Sequence, residues 1–145
     1  MPKGSRRWRD PGVTSWSTVP QRPWADKGVM MNKIQVSAVF PKIAPGDLAE
    51  FKRVAAQVLE LTIPEPGVVG YDWFFNEDET ACEVREVYAD SDAMLSHIAT
   101  VGDVLGPMVD LGGGLEARVF GNPSAELTAA LAPFEPTILS PFQRK

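Results

Sequence analysis

The residues of this chain best suited to proton chemistry lie close together in the segment from Glu83 to Ile98. Glu86 and Tyr88 occupy alternate positions near the end of a predicted strand, and the only histidine, His97, lies on the helix that follows. Glu86 falls on an otherwise apolar strand face, where burial would raise the pKa of its carboxyl and suit it to accept a proton. We therefore predict Glu86 and His97 as catalytic residues, with Glu86 as the proton acceptor and His97 orienting Glu86 or the substrate.

A second group of residues could form the wall of a pocket for a flat aromatic substrate. Tyr71 and Trp73 alternate on the strand that precedes Glu86, and with Tyr88 they are predicted to bind substrate. Each assignment has a structural alternative that the sequence leaves open. Alternating aromatics also build an ordinary core, Glu86 could pair locally at the strand end, and His97 could be a structural hydrogen-bonding residue.

The elements that must position these residues can be read from the apolar periodicity of the chain. It predicts six elements in this order: strand 33–40, a helix capped by Asp47 that reaches Thr62, strand 69–75, strand 80–88, a helix capped by Asp90 or Ser91 that Gly102, Gly106 and Pro107 bend or divide, and strand 115–120. The order strand-helix-strand-strand-helix-strand predicts an α+β, ferredoxin-like fold, with a four-stranded antiparallel sheet and helices on one face.

The hairpin between the second and third strands determines which side chains share a face of this sheet. A four-residue loop from Asn76 to Glu79 would pair Phe75 with Thr80, Trp73 with Cys82, Tyr71 with Val84 and Val69 with Glu86. The outer face would then carry a mostly polar set: Gln35, Ser37, Asp72, Phe74, Glu83, Arg85, Glu116 and Arg118. Such a face can meet water or pair with a second copy of the chain, and we expect a homodimer.

Composition excludes several classes of function. The 145 residues suffice for one domain, and no apolar run approaches the roughly 18 residues of a membrane span, so we expect a soluble, cytoplasmic protein without a membrane partner. One cysteine and one histidine cannot build a thiolate or imidazole metal site, and no phosphate-binding loop or dinucleotide fingerprint is present, so neither a metal nor a cofactor is predicted. Residues 32–145 hold eight basic against seventeen acidic side chains, which disfavours nucleic acid as a partner.

The two ends of the chain differ from the middle. Residues 1–30 are rich in proline and show no apolar period, which predicts a disordered extension that could lie upstream of the true start at Met30 or Met31. Residues 31–120 form the predicted domain. Residues 121–145 are predicted to form a helix, capped by Ser124, and an extended arm that packs across a partner subunit.

The junction from Glu83 to Ile98 resembles the antibiotic biosynthesis monooxygenase (ABM) family, in which an acidic residue and an aromatic close a strand and a histidine lies on the next helix. The resemblance covers about residues 33–120 and implies a dimeric α+β barrel. Its oxygenating members act on phenolic or quinol substrates without metal or flavin: a base removes a proton, and the resulting anion reacts with dioxygen.

The resemblance implies a cofactor-independent, quinol-monooxygenase-like activity, with a small aromatic molecule as substrate. Haem degradation, found in other members, is not expected, because Tyr88 and Ala38 stand at the positions of their tryptophan and asparagine and no histidine follows His97. The alternative from a different class is a non-catalytic dimeric module that binds a small ligand, since one fold hosts many functions. A third hypothesis is an interaction protein that uses the tryptophans of residues 1–29.

Overall fold

The computed structural model describes residues 32–145, which form a five-stranded sheet with helices packed against one face. The elements in chain order are β1 (Ile34–Phe40), α1 (Leu48–Thr62), β2 (Val68–Phe75), β3 (Cys82–Tyr88), α2 (Ser91–Leu111), β4 (Glu116–Phe120), α3 (Ala125–Leu131) and β5 (Thr137–Leu139). The strand order is β2-β3-β1-β4-β5, antiparallel except for the parallel pair β4 and β5. The predicted α+β, ferredoxin-like class is confirmed, with one strand more than expected. The N-terminal extension lies outside the described residues.

Alternation along the central strands decides what is buried. Ile34, Val36, Ala38 and Phe40 of β1 face the helices and are buried, as the period-two pattern predicts. On α1, Phe51, Val54, Val58 and Thr62 fall on one stripe and complete the core from the other side. The sheet and its helices therefore enclose one layer of apolar side chains, and the predicted pocket residues extend into that layer.

The hairpin between β2 and β3 corrects the predicted register by two residues. Phe75 pairs with Cys82, Trp73 with Val84 and Tyr71 with Glu86, and Val69 lies at an irregularity of the ladder rather than opposite Glu86. The loop begins at Asn76 as predicted but ends two residues later, at Ala81, because Asn76 closes it: its side-chain oxygen accepts from the Ala81 N–H at 2.9 Å. A two-residue shift leaves every side chain on its predicted face, but it sets Tyr71 directly opposite Glu86.

Helix α2 carries the histidine and is continuous over 21 residues. The Asp90 carboxylate caps it by accepting from the Ala93 N–H at 2.8 Å. The predicted division near Gly102, Gly106 and Pro107 is not observed, since the helix runs through all three. No helix within residues 32–145 combines the length and apolarity required to cross a membrane.

The C-terminal segment folds against its own subunit. Ser124 caps α3, and Leu127 and Leu131 are buried in the main core. The chain then returns as β5 beside β4, where the Gly121 N–H donates to the Leu139 carbonyl at 3.0 Å. The predicted helix is present and packs on its own subunit, whereas Ile138 of β5 stays 39% exposed, and packing of the arm across a partner stays a prediction.

Candidate active site

A cavity of about 80 Å³ lies between the inner face of the sheet and α2, with room for several water molecules. All five predicted site residues line it: Tyr71, Trp73, Glu86, Tyr88 and His97. The rest of the lining is almost wholly apolar and includes Val36, Ala38, Met94, Val101 and Met108 from β1 and α2. The sequence-based grouping of these five residues therefore corresponds to one place in the fold.

Glu86 is the buried carboxyl of this cavity. Strand alternation turns it inward with Val84 and Tyr88, and the Tyr88 hydroxyl donates to its Oε2 at 2.5 Å. Burial raises the pKa of Glu86 to about 7, and the hydrogen bond from Tyr88 opposes part of that rise. The side chain can therefore exchange a proton near neutral pH.

Two phenols flank this carboxyl and keep their protons. Burial raises the pKa of the Tyr71 hydroxyl far above its ordinary value, and the nearby carboxylates of Glu86 and Glu65 raise it further. Burial and Glu86 act on the pKa of Tyr88 in the same direction. Both hydroxyls are thus hydrogen-bond donors throughout the physiological range of pH.

His97 has different partners from those predicted. Its Nδ1 lies 2.7 Å from Glu65 Oε2, and its Nε2 lies 3.3 Å from the Tyr71 hydroxyl oxygen. Among the described hydrogen bonds, His97 does not contact Glu86, so its predicted role of orienting Glu86 has no direct structural support. The Glu86 carboxylate pairs with Tyr88 instead. The imidazole is almost fully buried, whereas 14% of the Glu65 side chain remains exposed.

Glu65 is the residue that sequence reasoning missed. It lies between two prolines in the turn after α1, 32 positions before His97, so no periodicity connects the two. The available signal was Gly67: a Cβ there would lie 2.6 Å from the Ala93 Cβ, so the turn can approach the start of α2 only because position 67 is glycine. That close approach brings Glu65 beside His97.

The aromatic wall contains an unused hydrogen-bond donor. The Trp73 ring is stacked with Phe40 at a centroid distance of 6.5 Å and meets Tyr71 edge-on at 5.8 Å. Its indole N–H is buried and has no hydrogen-bond partner within the described part of the chain. An unsatisfied buried donor of this kind is costly.

Cys82, on the same inward face of β3 as Glu86, lies apart from this site. It is buried at the far end of β3, and burial raises the pKa of its thiol to about 11, so it is not a reactive nucleophile. Within residues 32–145 no group of three or more His, Cys, Asp or Glu side chains is arranged to hold a metal ion.

A family comparison covers the part of the chain that carries this site. Residues 34–101 match the model of the antibiotic biosynthesis monooxygenase family. That match spans all of β1, β2 and β3 and the first half of α2, and it includes Glu65 and the five predicted site residues. The predicted resemblance to this family is confirmed over these residues.

Solved structures share the fold. MupZ from Pseudomonas fluorescens superposes with a TM-score of 0.64 at 24% identity, covering 79% of this chain and 93% of MupZ. A putative antibiotic biosynthesis monooxygenase from Caulobacter crescentus CB15 has 25% identity and a TM-score of 0.53, covering 65% and 92%. One from Bacteroides thetaiotaomicron VPI-5482 has 26% identity and a TM-score of 0.53, covering 62% and 88%. A search of curated protein sequences finds no match.

Proposed function

We propose that this protein is a cofactor-independent monooxygenase of a phenolic or quinol-like aromatic substrate. The observation that carries the proposal is the Glu86 carboxyl, whose pKa burial raises to about 7 inside an apolar cavity walled by aromatic rings. A base of that strength can take a phenolic proton at neutral pH, and the surrounding rings provide a flat apolar surface for the substrate.

The proposed reaction needs only the substrate and dioxygen. Ionised Glu86 accepts the phenolic proton, and the electron-rich phenolate reacts with dioxygen at a ring carbon that bears hydrogen. The resulting hydroperoxide loses water and leaves a carbonyl at that carbon. One oxygen atom enters the product, the other leaves as water with the two hydrogens lost by the substrate, and no external reductant is consumed.

The other cavity residues would support the charge that develops on the substrate. The Trp73 indole N–H, which lacks a partner within the described chain, is suited to donate to the phenolate oxygen. The apolar lining excludes water from the anion and so strengthens that hydrogen bond. A substrate with more than one ring would require neighbouring side chains to move, given a cavity of about 80 Å³.

We also propose that the protein is a homodimer that pairs through the outer face of the sheet. Phe74 is 56% exposed on that face, a large apolar group for a surface position. Ser37 on the central strand of that face is buried, and its hydroxyl donates to Glu83 at 2.7 Å, so this polar group already has a hydrogen-bond partner within the subunit. An antiparallel sheet of this kind can stack on a second copy by two-fold symmetry.

Substitution of Glu86 by glutamine tests the catalytic proposal. Glu86→Gln keeps the shape of the side chain and its acceptor for Tyr88, and it should lower turnover by roughly 10²- to 10⁴-fold with little change in substrate affinity. Glu77→Gln, in the exposed hairpin loop, is the charge-matched control and should keep full turnover.

Three outcomes would change the assignment. Full turnover in Glu86→Gln would remove this carboxyl from the reaction. If His97→Ala were then inactive while folded, the histidine would be the base. Tight binding of phenols by the wild-type protein without any uptake of dioxygen would instead favour the non-catalytic ligand-binding module.

A further inference from the structure

We propose that Glu65 is a positioning residue that acts through His97 to make the Tyr71 oxygen a hydrogen-bond acceptor for the second hydroxyl of a quinol-like substrate, the one that Glu86 does not deprotonate. The inference takes its substrate class from the proposed function, but it concerns binding and proton placement rather than the oxygenation step. Neither Glu65 nor this use of Tyr71 follows from the family match, which assigns no roles to residues.

The first step concerns the histidine. A carboxylate only accepts hydrogen bonds, so the 2.7 Å contact between Glu65 Oε2 and His97 Nδ1 requires the proton to be on Nδ1. In the neutral ring Nε2 then carries a lone pair. The Thr100 hydroxyl lies beside this pair, 3.1 Å from the other Glu65 oxygen and 2.9 Å from the Ser96 carbonyl oxygen.

The second step concerns the tyrosine. His97 Nε2 lies 3.3 Å from the Tyr71 oxygen, and burial keeps the phenol protonated, so the Tyr71 O–H donates to Nε2. With its single proton directed at the histidine, the tyrosine oxygen can only accept a further hydrogen bond. Tyr71 lines the cavity opposite Glu86 on the neighbouring strand, so that acceptor is available to a bound molecule.

The consequence is selectivity for a hydroxyl group. With one hydroxyl beside Glu86, hydroquinone can donate its other hydroxyl to the Tyr71 oxygen, whereas its monomethyl ether cannot and would leave a buried polar atom unsatisfied. Hydroquinone should therefore bind at least about 10-fold more tightly than 4-methoxyphenol.

The test follows the ring nitrogens of His97 by NMR in the full-length protein, where one histidine gives one set of imidazole signals. Neutral His97 in the wild-type protein should carry its proton on Nδ1. Glu65→Met should release this tautomer and reduce the preference for hydroquinone over 4-methoxyphenol by about 10-fold, whereas Glu65→Gln, which keeps an acceptor oxygen, should retain both. Glu60→Met, on the exposed face of α1, is the matched control and should change neither.

Two results would overturn the inference. One is a neutral His97 in the wild-type protein that carries its proton on Nε2, a result that NMR of the wild type alone would show. The other is a folded Glu65→Met protein that keeps the full preference for hydroquinone. A wild-type protein that shows the Nδ1 tautomer and prefers hydroquinone but consumes no dioxygen would contradict the proposed function and leave this inference standing.

Discussion

Glu86 should make the protein less stable as the pH rises from 5 to 8, opposite to the usual effect of a paired surface carboxylate. Burial raises its pKa from 4.5 to about 7 in the folded protein. Below pH 4.5 the carboxyl is protonated in both the folded and unfolded states. Between 4.5 and 7 the unfolded chain releases the proton while the folded protein retains it, so the free energy of unfolding falls; above 7 both states are ionised and the penalty is constant.

The size of the effect follows from the same two values. Each pH unit between 4.5 and about 7 is worth about 1.4 kcal/mol, which gives about 3 kcal/mol in total for a fully buried carboxyl. Glu86→Gln cannot ionise, so it should lose this dependence and become more stable relative to the wild type with increasing pH. Activity should show the opposite dependence, because only ionised Glu86 accepts a proton: kcat/KM should rise with pH through about 7.

Urea unfolding measures this pH dependence of stability directly. The wild type, Glu86→Gln and the control Glu77→Gln would be unfolded at about pH 5, 6, 7 and 8. The stability difference between Glu86→Gln and wild type should grow by roughly 2 to 3 kcal/mol across the series, while that of Glu77→Gln stays flat. A difference for Glu86→Gln that does not change with pH would show that the carboxyl titrates normally, and the reasoning about burial would fail.

Three further predictions concern the rest of the fold. Deletion of residues 121–145 should lower the free energy of unfolding by roughly 4 kcal/mol in urea, because it exposes the core around Leu127 and Leu131; an unchanged midpoint would contradict the packing of the C-terminal segment. Gly113→Ala should cost more than about 1 kcal/mol by thermal unfolding, because φ is 72° there and a Cβ would lie 2.2 Å from the Lys42 carbonyl oxygen; a neutral effect would refute that constraint. Phe74→Asp should convert the proposed dimer to a monomer by light scattering, whereas a wild-type monomer at micromolar concentration would remove the outer face as an interface.

Deletion of residues 1–29 concerns a segment outside the described residues, and its expected effect rests on composition alone. A proline-rich stretch without apolar periodicity should leave the melting temperature of the remaining chain unchanged. A large loss of stability in the shortened protein would show that these residues pack on the domain.

Local pattern explains why most of the fold, and the placement of the five predicted site residues around one cavity, could be predicted from the sequence. Alternation on β3 turns Glu86 and Tyr88 inward, and the helical spacing from Met94 to Val101 turns His97 towards them. Each inference needs only the period of one element and the order of the elements. The face on which each hairpin side chain lies was also predicted correctly despite the error in register, because a shift of two residues preserves the face.

Contacts between distant segments explain what was missed. Glu65 lies in an irregular turn, and only the packing of that turn against α2 brings it to His97. The parallel pairing of β5 with β4 likewise depends on where α3 docks, and a three-residue strand has no periodicity to predict it. The register of the hairpin depends on the side-chain hydrogen bonds of Asn76, which cannot be read from the loop length alone.

The most direct test of the central claim is dioxygen uptake by the purified protein, without added metal or cofactor, on a panel of phenols and quinols. We expect stoichiometric uptake with at least one substrate, one labelled oxygen atom in the product when the gas is isotopically labelled, and loss of most of this activity in Glu86→Gln but not in Glu77→Gln. Oxidation that proceeds without incorporation of oxygen from the gas, or that is unchanged in Glu86→Gln, would contradict the proposed monooxygenase.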